Sequence, residues 1–376
     1  MSAWPGKYVI GLTGNIATGK SVIRKMLEHL GAYGIDADAL GHRAIARGAP
    51  GYQPVVNTFG RWILAPDGQI DRARLARIVF DDPEALARLE AIVHPMVSQA
   101  VDLLVRRSRH QVIVVEAIKL LESGLRARCD TLWVAHTPEK VQLNRLMQKR
   151  GLNEEAARQR IAAQPAQQAK IIAADVIIRN DGTFEDTWQQ VVEAWRRIFP
   201  TTEAQEAQAA AIAGTLMVQR AGPRQAAEIA DFITRNSGGS VRLQKNDIME
   251  AFGEKAYLLV RLEGELVGVA GWQVENLVAR AGDIYLQPDL PIREVLRALT
   301  EEIERESREL QCEIALVFLP KDLLHKQDVW RSLGYQPRTV QSLAVRAWQE
   351  AAMESLTTDT TMLFKQLRKD RVLRPV

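Results

Sequence analysis

Cysteine is scarce in this chain: only Cys129 and Cys312 occur among 376 residues. Because the two lie far apart in the sequence, they predict neither a disulfide scaffold nor a zinc cluster. No apolar run approaches the ~18 residues that span a bilayer. The first residues also lack the long apolar segment of a signal peptide. These absences predict a cytoplasmic protein that does not insert into a membrane.

A strong charge of either sign is also missing. The 49 basic and 46 acidic side chains leave a formal net charge of +3, which is too small to indicate a general nucleic-acid binder. Hydrophobic residues make up 47% of the chain, an ordinary share for a globular protein. At roughly 100–200 residues per domain, the length favours two domains.

The first half of the sequence alternates strand and helix patterns, and the second half differs from it. The apolar run Val112–Val115 ends at Glu116 and is typical of a strand buried on both faces of a parallel sheet. The pattern predicts an α/β domain over residues 1–200, a linker over 201–213 that is rich in Ala, Gln and Glu, and a second, α+β domain over 214–376.

A glycine loop follows the first strand pattern and precedes an amphipathic helix. It reads Gly14, Asn15, Ile16, Ala17, Thr18, Gly19, Lys20, Ser21 and fits G-x-x-x-x-G-K-[ST] in full. Glycines let successive N–H groups converge on phosphate oxygens, and the following helix contributes its positive end. Lys20 would neutralise the β- and γ-phosphates of ATP, and the Ser21 hydroxyl would ligate Mg²⁺. The alternative is a chance match in a glycine-bearing turn.

A pair of carboxylates follows the second strand pattern, at Ile35–Asp38. Strand ends meet the ligand crevice in a parallel sheet, where a carboxylate can accept the proton of an attacking hydroxyl group. An aspartate here can also cap the next helix. We expect both roles, with Asp36 structural and Asp38 the general base.

Together with these residues, several further segments resemble the dephospho-CoA kinase family over about residues 8–197. The matching segments are Ala49–Gly51, Asp71–Leu75, Val93–Pro95, Leu120–Glu122, Gln142–Arg145, Arg160–Ile161 with Gln164, and Ala174–Ile177. The resemblance implies a nucleoside-kinase-like P-loop NTPase fold with a helical substrate region and a mobile lid. It implies phosphorylation of the ribose 3′-hydroxyl of dephospho-CoA by Mg-ATP.

The resemblance also implies roles for individual residues. Asp38 matches the proposed general base, and Arg74 and His94 fall in the helical region associated with dephospho-CoA. Arg145 matches a lid arginine that reaches the transferring phosphates, where a guanidinium can stabilise phosphoryl charge. A core position for His94 and a solvated one for Arg145 are the alternatives.

The segment after the third strand departs from the family. Many members carry a proline and two leucines where this chain has Ile118, Lys119 and Leu120. Glu116 fills the preceding acidic position, where it could order Mg²⁺-bound water. Lys119 has two open interpretations, contact with phosphate or extension into solvent.

The second half resembles GNAT-type acyltransferases in a hairpin over Tyr257–Trp272 and in the segment Val329–Tyr335. The resemblance implies CoA or acetyl-CoA as a possible ligand. The corresponding phosphate turn, Leu286–Arg293, holds two prolines and no glycine, which favours an inactive or repurposed domain over a working enzyme. We predict no catalytic residue here: Glu275 and Tyr335 are conceivable acid/base groups, but we interpret both as structural. The basic segment from Lys365 to Arg371 is interpreted as a solvated helix end.

The sequence thus predicts an ATP- and Mg²⁺-dependent dephospho-CoA kinase with an acyltransferase-like second domain. The alternatives are a related small-molecule kinase, a CoA- or nucleotide-sensing module, and a bifunctional kinase–acetyltransferase. No nucleic-acid partner is expected.

Overall fold

The computed structural model describes residues 3–164, 167–199, 216–288, 290–320, 327–357 and 360–368. Its contacts divide the chain into two units, Met1–Val192 and Glu193–Lys369. Two units agree with the expected number of domains. The predicted linker at 201–213 lies outside the described residues, so the domain boundaries stay predictions.

The first unit is built on a five-stranded parallel sheet with the order β2-β3-β1-β4-β5. Its strands are β1 (Tyr8–Thr13), β2 (Tyr33–Asp36), β3 (Val112–Glu116), β4 (Thr131–His136) and β5 (Val176–Arg179). All five residues of β3 are buried, as predicted for a strand covered on both faces. Every carboxyl end lies at one edge of the sheet, because all pairs are parallel. The predicted parallel α/β architecture is confirmed.

Nine described helices accompany this sheet. They are α1 (Lys20–His29), α2 (Ala37–Ala44), α3 (Tyr52–Phe59), α4 (Arg72–Asp81), α5 (Pro83–Arg107), α6 (Glu139–Arg150), α7 (Glu154–Ala162), α8 (Gln167–Ala173) and α9 (Phe184–Ile198). Helices α3 to α5 share a separate apolar cluster that includes Val55, Ile63 and Leu75. This cluster makes the segment a small helical subregion with a core of its own.

The second unit contains a seven-stranded mixed sheet with the order β11-β12-β10-β9-β8-β7-β6. Its strands are β6 (Leu216–Arg220), β7 (Ala256–Leu262), β8 (Glu265–Glu275), β9 (Val278–Leu286), β10 (Ile314–Pro320), β11 (Gln336–Pro337) and β12 (Thr360–Gln366). Only the β9–β10 pair is parallel among the described strands of this sheet. The predicted hairpin is confirmed as β7 and β8, where Glu263 and Gly264 make the turn with positive φ.

The described helices of the second unit are α10 (Ala226–Asn236), α11 (Lys245–Ala251), α12 (Ile292–Glu309), α13 (Gln327–Ser332) and α14 (Arg346–Ser355). One face of α12 is apolar, and its residues Val295, Leu296, Leu299 and Ile303 are all buried. The expected α+β architecture is present.

One prediction in the second unit is wrong. Lys365 and Gln366 lie in strand β12 rather than at a solvated helix end. Lys365 pairs across the sheet with Ala315, and its ammonium donates to the backbone carbonyl of Leu333 at 2.7 Å and to the carboxylate of Glu304. The ladder and these contacts explain the strand, which a run of basic letters does not reveal. The rest of that basic segment, from residue 369, lies outside the described residues.

Within the described residues, no helix combines the length and the apolar character that crossing a bilayer requires.

Candidate functional site

The glycine loop connects β1 to α1 at the carboxyl edge of the parallel sheet. Gly14 has φ 151° and Gly19 has φ 86°, and a Cβ on Gly14 would lie 2.6 Å from the carbonyl oxygen of Ala135. Ala17 also adopts a positive φ of 58°, a conformation that costs a side-chain-bearing residue energy. The loop therefore has the tight, partly strained backbone that its motif predicts.

Lys20 and Ser21 form the first turn of α1, directly after the loop. Lys20 is buried and donates to the backbone carbonyl of Asn15 at 3.3 Å. The hydroxyl of Ser21 donates to Oε1 of Glu116 at 2.9 Å. Glu116 stands at the end of β3, in register with Leu12 of β1. The structure thus brings together two residues that the sequence assigned to the metal.

Asp36 has the capping role that the sequence predicted, and the role of Asp38 as general base stays a prediction. Strand β2 ends at Asp36, whose Oδ1 accepts the N–H of Ala39 at 2.8 Å and caps α2. Asp38 therefore lies in the first turn of α2 rather than at the tip of the strand. Asp36 is confirmed as a helix cap, and the capped turn determines the position of Asp38 in α2.

The carboxylate of Asp38 is held at the same edge of the sheet. Its Oδ2 accepts the backbone N–H of Ile118 at 3.0 Å. Burial raises the pKa of Asp38, while the charge of Lys20 and the hydrogen bond from Ile118 oppose the rise. Asp38 is thus a half-buried carboxylate whose pKa is affected by the charge of Lys20, as expected of a general base beside a phosphate site.

Arg145 lies on α6 and contacts the other flank of the loop. Its guanidinium donates to the carbonyl of Ala17 at 3.2 Å and to the carbonyl of Asn180 at 2.8 Å. Burial lowers the pKa of Arg145, and the charge of Asp181 opposes that shift. In this structure Arg145 holds the glycine loop through these hydrogen bonds. Its contact with transferring phosphates stays a prediction.

Arg74 and His94 lie in the helical subregion. The guanidinium of Arg74 donates to the carbonyls of Trp62 and Leu64, both at 3.1 Å, and pairs with Asp71. His94 is half-buried on α5, one residue before Pro95. These contacts stay within the helical subregion, and the proposed contacts with substrate stay predictions.

Two polar residues at the loop were not selected from the sequence. Asn180 follows β5 directly, and its side-chain amide donates to the carbonyl of Thr18 at 3.0 Å. A Cβ on Gly19 would lie 1.8 Å from that amide, so the pair requires glycine. Lys170 on α8 is 1% exposed and donates to Oδ1 of Asn15 at 3.0 Å. A polar residue at a strand end could have indicated Asn180, whereas no sequence signal marks Lys170.

Gln164, which belongs to the quoted matches, reaches the loop from the segment after α7. The backbone N–H of Ile16 donates to its Oε1 at 2.7 Å. The apolar residues of α6 and α7 pack on the same stretch, because Ile16 and Ala17 adjoin a cluster of Leu143, Leu146 and Ala157. Helices α6 and α7 together with Gln164, called the lid segment below, therefore contact the glycine loop.

In the second unit, Glu275 and Tyr335 show structural contacts. Glu275 pairs with Arg280 at 2.6 Å, and Tyr335 is fully buried with its ring against Trp330. These contacts agree with the structural interpretation of both residues.

A strand, a glycine loop and a helix bearing Lys20 and Ser21 define a nucleotide-binding α/β unit of the P-loop class. The family model for dephospho-CoA kinase matches residues 8–186. The curated dephospho-CoA kinase of Geobacter sulfurreducens is 42% identical over 195 residues, covering 51% of this chain and 99% of that protein. The chain therefore belongs to the dephospho-CoA kinase family, and the prediction of a kinase is confirmed.

Solved structures are similar to each part of the chain. The dephospho-CoA kinase from Campylobacter jejuni is 29% identical with a TM-score of 0.38, covering 51% of this chain and 97% of its own. An acetyltransferase of the GNAT family from Streptococcus pneumoniae is 13% identical with a TM-score of 0.32, covering 40% of this chain and 98% of its own. TM-scores this low do not establish a shared fold, so the acyltransferase-like character of the second unit stays a prediction.

Proposed function

We propose that this chain transfers the γ-phosphoryl group of ATP to the ribose 3′-hydroxyl of dephospho-CoA, giving CoA and ADP. Family membership supports the substrate, and the geometry of the loop edge supports the reaction. The observation that carries the proposal is the half-buried carboxylate of Asp38 at the carboxyl edge of the parallel sheet, where the charge of Lys20 acts on its pKa. A base and a phosphate-binding cation in one crevice are what this transfer requires.

The reaction is an in-line displacement. The 3′-oxygen forms a bond to the γ-phosphorus while the bond from that phosphorus to the β–γ bridging oxygen breaks. The bridging oxygen leaves with the electron pair as part of ADP. Asp38 accepts the proton of the hydroxyl group and later releases it to solvent. Lys20 and the loop N–H groups balance the negative charge on the phosphates.

The residues present fit Mg²⁺. The hydroxyl of Ser21 and the carboxylate of Glu116 lie 2.9 Å apart, and both are oxygen groups of the kind that Mg²⁺ prefers. Among the described residues, no group of three or more His, Cys, Asp and Glu side chains could hold a metal. Mg²⁺ typically keeps few protein ligands and is held largely by substrate phosphates. When bound, it would neutralise phosphate charge, with Ser21 as ligand and Glu116 holding a water.

The helical subregion would bind the rest of the acceptor. Arg74 is 43% exposed in its side chain and so has surface available for a phosphate of dephospho-CoA. His94 belongs to the same subregion. Arg145 would move with the lid segment toward the phosphates when ATP enters, which would exclude water from the transfer.

Incubation of the full chain with dephospho-CoA and Mg-ATP tests the proposal. We expect CoA and ADP in equal amounts, measured by chromatography, with turnover lost in Lys20→Ala. A panel of nucleosides and other small alcohols separates this reaction from that of a related kinase. Tight binding of ATP or CoA without phosphoryl transfer would contradict the proposal and favour a sensing module.

A further inference from the structure

Lys170 is a buried cation beside the glycine loop. Its side chain is 1% exposed on α8, and its ammonium donates to the side-chain oxygen of Asn15 at 3.0 Å and to the carbonyl of Ile118 at 2.8 Å. Both acceptors are neutral. An ammonium carries three N–H donors, and within the described part of the chain only two of them have an acceptor. One donor of Lys170 therefore remains for a ligand.

Lys170 and Lys20 converge on the same loop residue. Lys20 donates to the backbone oxygen of Asn15, and Lys170 to its side-chain oxygen. Burial lowers the pKa of Lys170, the charges of Glu122 and Asp38 oppose the shift, and the charge of Lys20 adds to it. In the part of the chain that the structure describes, neither ammonium has a carboxylate within hydrogen-bond distance, and two buried ammonium groups so placed are costly. A polyanion bound between them would offset that cost.

The position of Lys170 indicates which phosphate it would meet. Its ammonium binds the carbonyl of Ile118, and the N–H of the same residue binds the carboxylate of Asp38. Its charge also lowers the pKa of Asp38. Lys170 therefore lies on the acceptor side of the loop, beside the carboxylate that would prime the hydroxyl group. The γ-phosphoryl group is the part of ATP that passes between the loop and the acceptor.

We propose that Lys170 is a second phosphate-binding cation, which contacts the γ-phosphoryl group of ATP and stabilises it during transfer together with Lys20. This assignment rests on the proposed function for the identity of the acceptor, but the contact with ATP does not depend on the acceptor. Gln164 thus supplies a hydrogen-bond acceptor to the loop, and Lys170 on the next helix, α8, supplies a cation.

Paired nucleotide affinities test this contact in the full chain. Calorimetry would compare Mg-ADP with a non-hydrolysable Mg-ATP analogue for the natural chain, Lys170→Met and Lys170→Gln. A charge-assisted hydrogen bond contributes about 1.5–3 kcal/mol, so we expect the affinity for the analogue to fall at least tenfold. The affinity for ADP should change less than threefold. With dephospho-CoA as acceptor, kcat should fall about 10²-fold while KM for dephospho-CoA stays within threefold.

Lys170→Gln separates charge from packing, because a carboxamide can still donate hydrogen bonds but carries no charge. Lys7→Met is the matched control: Lys7 also donates to two neutral carbonyls, of Ser108 and His110, but precedes the opposite end of β1. It should leave both nucleotide affinities unchanged. If Lys170→Met does not fold, the assignment is decided by Lys170→Gln and its melting temperature.

Each result decides the assignment. Equal losses of ADP and ATP-analogue affinity, or no loss, would overturn it and leave Lys170 a structural residue. Selective loss of the analogue supports it even if the natural chain fails to phosphorylate dephospho-CoA, in which case only the proposed acceptor falls. A natural chain that binds neither nucleotide would overturn both.

Discussion

Two buried lysines of the first unit and a buried arginine of the second have different hydrogen-bond partners. In the first unit, Lys20 and Lys170 are 8% and 1% exposed, and the hydrogen-bond acceptors of both are neutral. In the second unit, Arg280 is also buried, but its guanidinium pairs with Glu275 at 2.6 Å and Glu354 at 2.8 Å. The charges of Lys20 and Lys170 are therefore available to an anionic ligand. The charge of Arg280 is instead neutralised by carboxylates of the same unit.

Burial of charge alone therefore does not identify a site. Arg24 in the first unit resembles Arg280, because its guanidinium pairs with Glu116 and Glu28. What distinguishes Lys20 and Lys170 is the neutrality of their acceptors and their position at the carboxyl ends of parallel strands. We expect substitution of a buried cation with neutral acceptors to change catalysis. Substitution of a buried cation that pairs with carboxylates should change stability.

The largest expected effect is at Asp38. Asp38→Asn removes the base and keeps the shape, so kcat should fall ~10²-fold or more while ATP still binds. Its raised pKa means that Asp38 stabilises the fold only at low pH, and that this contribution is lost as the pH rises through the pKa. The melting temperature of Asp38→Asn at pH 7 should therefore equal or exceed that of the natural chain. A large drop in melting temperature would instead show that Asp38 stabilises the fold, as the paired carboxylates do.

The next effect is on the pH dependence. The raised pKa of Asp38 means that the deprotonated base is lost at a pH above the ordinary carboxyl value of 3.8. The acidic limb of kcat/KM should therefore lie above that value. Ile118→Pro removes the N–H that opposes the rise, so its acidic limb should move to higher pH. Pre-steady-state and steady-state rates across the acidic range measure the acidic limb of the natural chain and that of Ile118→Pro. An acidic limb at the same pH in both proteins would contradict its assignment to Asp38.

Arg280 should show the opposite behaviour. Arg280→Met leaves Glu275 and Glu354, which are 49% and 60% exposed and can turn to water. The free energy of unfolding should therefore fall by about 2 kcal/mol, measured by urea unfolding followed by tryptophan fluorescence. Phosphoryl transfer should stay within twofold of the natural rate. The control is Arg331→Met, whose ion pair with Asp328 is exposed and spans 3.9 Å; it should change neither quantity.

The smallest effect is expected at Lys119. Its ammonium pairs with Glu90, with 40% and 30% of the two side chains exposed, so the pair should contribute less than about 1 kcal/mol. Lys119→Leu should keep kcat within twofold, as should Glu90→Gln. A tenfold loss in Lys119→Leu alone would favour the other interpretation, in which Lys119 contacts phosphate.

Several features of the fold and site follow from local patterns. The apolar run before Glu116, the glycine loop, the hairpin at Glu263–Gly264 and the stripe on α12 are periodic or motif-like, so short stretches of sequence predict them. The capping by Asp36 is also local, because a helix cap accepts an N–H from three residues away.

Other features depend on residues far apart in the chain. Lys170 reaches Asn15 across a separation of 155 positions, and Asn180 reaches Thr18 across 162. Lys365 looks like part of a basic tail until β12 is seen to pair with β10. Patterns of three or four residues carry no information about such partners.

The sequence alone determined the phosphate loop, the parallel sheet and the family, because each is encoded in contiguous residues or their order. The tertiary structure alone decided which buried charges stay open to a ligand. That property depends on which groups directly contact the cation: neutral oxygens accept the hydrogen bonds of the Lys170 ammonium, and carboxylates pair with the Arg280 guanidinium. The free energy of a buried charge is set by these neighbours rather than by the residue type.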